Sequence, residues 1–109
     1  MAHKIYDYSD FNDNIGTAGD KLVVVTFIGS WCKPCIEMDH IIDVISKENK
    51  EIIFLKVYVD ENEKLANDFD VSCYPTTVFI KNENRIDELL GSNEIALREM
   101  IRRYQAVRN

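Results

Sequence analysis

The 109-residue sequence has only four glycines and two prolines, and no segment of it is rich in Gly and Ser or low in complexity. That excludes a linker-joined or repetitive architecture and leaves one domain, residues 1–109. No uninterrupted apolar run exceeds the length of Leu22–Val25, so nothing here reads as a membrane span or as the apolar core of a signal peptide. Lys and Arg nowhere cluster, and the formal charge is -6. A phosphate backbone therefore finds no basic track, and neither nucleic acid nor membrane is expected as a partner. Cysteine is scarce too, with three in the chain. An odd count without an export signal does not make a disulfide framework; a reducing, cytoplasmic setting fits better, where a close pair is catalytic, redox-sensing or metal-binding.

What is present is an apolar content of 46%, enough for one core at this length. The β-branched run KLVVVTFIG, bounded by Asp20 and Gly29, and the stretch Ile52–Val59 read as strands buried on both faces. Between them, Met38, Ile41, Ile42 and Ile45 recur at spacings of three and four, predicting an amphipathic helix over Cys35–Lys50. A crossover of that length joins parallel strands, so the segment SWCKPC falls at the carboxyl end of the first strand, where open α/β sheets take their ligands. Further helices are predicted from Ser9 as cap to about Ala18, over Glu61–Phe69, and from Asn93 to about Ala106. TTVFIK and RIDELLG, separated by Asn82-Glu83-Asn84, read as a hairpin. The fold class expected is α/β with a mixed sheet.

The chemistry concentrates in Cys32-Lys33-Pro34-Cys35. A sulfur at a helix start meets unpaired N–H groups and the positive end of the helix dipole; with Lys33 alongside, these stabilise thiolate over thiol and predict a pKa lowered toward neutrality. Pro34 suits the first helical turn and holds the sulfurs close. Cys32 is then the nucleophile, and Cys35, one turn further in, resolves the mixed disulfide. Two other readings stay open: half of a zinc site, against which stand the lack of a second Cys-x-x-Cys and the distance between His3 and His40, and a pair of inert packed cysteines, for which Trp31 and Pro34 are odd neighbours.

Taken together, KLVVVTFIGSWCKPC, VYVDENEKLA, CYPTTVFIK and LLGSN resemble thioredoxin across nearly the whole chain. The resemblance implies a thioredoxin fold, a central mixed β-sheet flanked by helices. It also implies a protein-disulfide reductase that binds no cofactor and no metal, works through a redox-active Cys32–Cys35 disulfide, and receives electrons from a thioredoxin reductase. Trp31 matches the family's active-site tryptophan. Pro75 matches its cis-proline, which with Tyr74 faces the substrate backbone, and Gly91 and Ser92 match the edge of the substrate groove. Gly91 also reads as an ordinary turn glycine, and Trp31 as core filler.

The departures are as informative. Lys33 replaces the family's glycine, which predicts a more oxidising couple or, alternatively, a solvated lysine of little effect. Thr26 replaces a buried aspartate credited with moving the resolving cysteine's proton, so Lys56 is expected to have lost its ionic partner. His40 replaces a kinking proline, predicting a straighter helix, and Tyr58 replaces an acidic residue while Asp60 keeps the neighbouring one. Cys73 reads as a thiol that joins two copies of an otherwise monomeric chain or takes a glutathione cap, or else as a partly buried structural cysteine. Two alternative functions also remain: a disulfide oxidase or isomerase, motivated by Lys33 and Thr26, and a binding module that holds a partner through Trp31, Tyr74 and Pro75.

Overall fold

The apolar run becomes strand β2, Val23–Ile28, and every residue of it is buried. Its side chains alternate between two layers. Val23, Val25 and Phe27 enter one core, and Val24 enters the other. This computed structural model describes residues 2–105. Around β2 the sheet has the order β1-β3-β2-β4-β5. β1 (His3–Ile5) and β3 (Ile53–Tyr58) run parallel to β2, whereas β4 (Thr76–Lys81) and β5 (Asn84–Leu90) form an antiparallel hairpin on its other side.

Helices α1 (Tyr8–Gly16) and α3 (Glu63–Asp68) cover one face, contributing Phe11, Leu65 and Ala66 to the core there. The other face carries α2 (Lys33–Glu48) and α4 (Glu94–Gln105), through Met38, Ile41, Ile42, Ile45, Leu97 and Ile101 against Val24, Phe54 and Phe79. A strand closed on both faces by helices is largely apolar, and β2 carries that pattern with Thr26 as its one polar residue. Phe27, Phe54 and Phe79 are almost completely buried; removing one such ring typically costs about 3–5 kcal/mol.

Most expected elements are present, with shifted ends. α2 begins two residues before its predicted start, because Cys32 itself is the cap, and it runs unbroken through His40 to Glu48. α1 is capped by Asp7, not Ser9: the Asp7 carboxylate accepts the Asp10 N–H at 2.8 Å, and Ser9 already lies inside the helix. The helix expected over Glu61–Phe69 splits into a 3₁₀ turn, Val59–Glu61, and α3. α4 is capped by Asn93, whose Oδ1 accepts the Ala96 N–H at 3.0 Å; the predicted end at Ala106 lies outside the described residues. The β4–β5 loop is the two residues Asn82 and Glu83, at φ 51° and 65°, the mirror-image turn that matches the twist of the flanking strands.

Candidate functional site

The site forms where β2 gives way to α2. Cys32 is the N-cap, and its Sγ accepts the Cys35 N–H at 3.2 Å, so the first sulfur occupies the place where a helix concentrates unpaired donors. Lys33 and Pro34 follow in the first turn, with Pro34 where its missing N–H costs nothing. Cys32 and Cys35 are joined as a disulfide, with Cα atoms 5.2 Å apart. Their surroundings differ. Cys35 is completely buried and Cys32 keeps 8% of its surface. The Gly29 N–H points at Cys35 Sγ from 3.5 Å, whereas Cys32 Sγ lies 3.5 Å from the Tyr74 carbonyl oxygen. Ile28 shares this small cluster with both sulfurs, and Tyr58 and Tyr74 pack against it.

The loop before β4 supplies the opposite wall. The Tyr74–Pro75 peptide is cis, the isomer the resemblance implies. The Pro75 carbonyl accepts the Gly91 N–H at 2.9 Å, tying the two loops together. Gly91 has φ 88°, which a side chain would resist, as a turn glycine does. Ser92 donates its hydroxyl to Glu37 on α2 at 3.1 Å. Trp31 is 65% exposed, meeting Tyr74 edge-to-face with centroids 5.6 Å apart; it is not core filler. Thus Trp31, Cys32, Tyr74, Pro75, Gly91 and Ser92 converge on one rim. Past Ser92 an open groove of about 970 Å³ continues between α2 and α4, lined by Glu37, His40, Ile41, Glu94, Ile95 and Arg98.

Two expectations are corrected. Cys73 is exposed, with Thr76 Oγ1 3.9 Å from its sulfur, so it is not a partly buried structural residue. Lys56 has not lost its ionic partners. Its ammonium lies 2.5 Å from Asp39 Oδ1 and 2.7 Å from Asp43 Oδ1, both on α2, because a lysine on this strand points at the helix covering it. Burial pulls the Lys56 ammonium down, but the two carboxylates outweigh it and hold the group above the ordinary lysine value. The two acids four residues apart on one helix were the signal available in the sequence. Thr26 is completely buried beside them, and its hydroxyl is 3.1 Å from that of Thr77.

Lys33 is exposed. Asp60 accepts a hydrogen bond from the Ser30 hydroxyl, which holds its carboxyl below the usual range. Sequence reasoning passed over Ser30 and also Gly29, whose backbone lies against the Trp31 ring. Among the described residues no three His, Cys, Asp or Glu side chains converge as metal ligands, and no helix is long and apolar enough to cross a membrane.

Comparison with known proteins matches this arrangement. The thioredoxin family model fits residues 3–103. Thioredoxin from Ictalurus punctatus is 39% identical over 103 residues, covering 93% of this chain and 96% of that protein. Human thioredoxin is 35% identical over 93% of this chain and 96% of its own length. Among solved structures, Fasciola hepatica thioredoxin superposes with a TM-score of 0.91 at 36% identity, covering 94% of this chain and 98% of the other.

Proposed function

The chain belongs to the thioredoxin family and is a dithiol thiol-disulfide oxidoreductase, and from that premise we propose that it reduces protein disulfides with Cys32 attacking and Cys35 resolving. The observation that carries the assignment is the difference between the two sulfurs: Cys32 caps the helix at a rim lined by Trp31 and Tyr74, and Cys35 is sealed beneath it.

In the reduced protein the Cys32 thiolate, stabilised by the start of α2, attacks one sulfur of a substrate disulfide. The other substrate sulfur leaves as a thiolate and takes a proton. Cys35, deprotonated in turn, attacks Cys32 Sγ; the Cys32–substrate bond breaks, the substrate departs with both sulfurs reduced, and the protein keeps the Cys32–Cys35 disulfide. Two electrons have moved from protein to substrate. Trp31, Tyr74, Pro75, Gly91 and Ser92 hold the extended substrate chain, and the exposed Trp31 ring supports that role.

A thioredoxin reductase returns the electrons, and the protein works as a cytoplasmic monomer without a bound cofactor or metal. An exposed, unpaired Cys73 fits a compartment that keeps thiols reduced, and under oxidation it is the thiol through which two copies can join. The test is trapping with insulin. Cys35→Ser should accumulate a stable mixed disulfide and Cys32→Ser none; the reverse pattern would exchange the two roles.

A further inference from the structure

Resolution requires the buried Cys35 thiol to lose its proton, and Thr26, with its hydroxyl set against Thr77, offers no base. The chain's answer is visible in how α2 lies over the sheet. Along the face that α2 covers, β2 and β3 present facing pairs, Val24 with Phe54, Thr26 with Lys56, and Ile28 with Tyr58. α2 runs back along the same line. Cys35 packs at the Ile28 and Tyr58 pair, Asp39 meets Lys56 at the next, and Ile42 joins the cluster of Val24 and Phe54 at the third. From Cys35 to Asp39, four residues of helix rise about 6 Å, close to the 6.6 Å or so of two strand residues, so helix and sheet match over this step. The Asp39 carboxylate is therefore one step from the resolving sulfur, on the same side of the helix.

The charge arrangement suits an acceptor. Asp39 Oδ1 is sealed from solvent, with the Lys56 ammonium 2.5 Å away as its ion-pair partner. Two carboxylates share one ammonium, so the group carries a net charge of about -1, and a proton taken by Asp39 leaves a balanced Lys56–Asp43 pair. The other titratable groups facing this region are Tyr58 on β3 and, outward on α2, His40; β2 contributes none there, since Thr26 does not titrate.

We infer that Asp39 is the proton acceptor for Cys35, a carboxylate on the helix in place of one on the strand. This inference rests on Cys35 being the resolving thiol. The Cys35 proton passes to Asp39, the thiolate attacks Cys32 Sγ, the Cys32–substrate bond breaks, and the departing substrate thiolate is protonated from the same group or from solvent.

The experiment is stopped-flow release of a peptide from its mixed disulfide with Cys32, between pH 5 and 9. Asp39→Asn should slow release about 100-fold at pH 7 and make the rate climb with pH as hydroxide takes over, while the parent profile stays flatter. Asp43→Asn removes the same charge from the same ion pair two turns from Cys35, and should slow release less than about threefold. In the Asp39→Asn background, Thr26→Asp should recover most of the lost rate. Release from Asp39→Asn within threefold of the parent with an unchanged profile, or equal slowing by Asp43→Asn, overturns the inference. A parent protein that releases nothing until external thiol is added overturns instead the assignment of Cys35.

Discussion

Gly29 lies against the outer ring of Trp31, so that a Cβ at position 29 would come within 2.7 Å of the indole. The atoms met belong to the far end of an exposed side chain, and the ring can swing away. Gly29→Ala should therefore leave stability within about 1 kcal/mol of the parent while displacing the indole from Tyr74. Tryptophan fluorescence and the KM for a disulfide protein are the readouts, with an unchanged kcat at saturation. Unmoved fluorescence together with an unchanged KM would show that the ring's position does not matter to substrate.

Lys33 points into solvent on the first turn of α2. Its charge is screened at physiological salt, so Lys33→Gly should shift the reduction potential by less than about 15 mV at 0.15 M salt and by more at 0.01 M. Redox equilibration with glutathione at both ionic strengths measures it. A salt-independent shift above about 30 mV would mean that the lysine acts on the thiolate at close range.

Thr26→Asp in the otherwise unchanged chain places a carboxylate in a completely buried position and breaks the Thr26–Thr77 contact. Lys56 is already shared by Asp39 and Asp43, so little compensation is available. Loss of about 3 kcal/mol is expected, read as a lower urea midpoint. A midpoint equal to the parent's would require that Lys56 exchange partners.

Lys56→Met removes the cation between two carboxylates, one of which has a sealed oxygen. Since both acids retain partial solvent access, with side-chain exposures of 36% and 50%, the cost should be about 1–3 kcal/mol at neutral pH, below the range for fully buried pairs. The pH dependence has a definite sign. The folded-state value of Lys56 is raised, so its stabilisation is complete below the ordinary lysine value of 10.5 and fades as pH climbs through the folded value. Parent and variant stability curves should thus converge above pH 10.5, and curves that stay parallel there would refute the assignment.

How much of this was legible beforehand depended on the range of the interactions. β2 and β3 announce themselves by apolar runs, α2 by a period of three to four, and the reactive pair by its spacing. β1 does not, because three residues carry no period; His3–Ile5 is a strand only through pairing with Leu55–Val57. The Asp7 cap was missed for a neighbouring serine, since both residues are good caps and only the backbone chooses. The spacing of Asp39 and Asp43 puts both acids on one face of α2, but their convergence on Lys56 depends on how that helix lies over β3, which the spacing alone does not encode. The same holds for Gly29 under Trp31, where the signal is the absence of a side chain.

The two margins of the sheet are unequal in length but alike in effect. β1 is three residues long and carries Lys4, and β5 exposes Arg85 and Glu88 along a strand whose pairing with β4 slips between Phe79 and Ile80. Short, charged or irregular borders are poor templates for self-association by strand addition. A protein that exchanges disulfides with other proteins thereby meets their chains without offering its own sheet as a seed for fibrils.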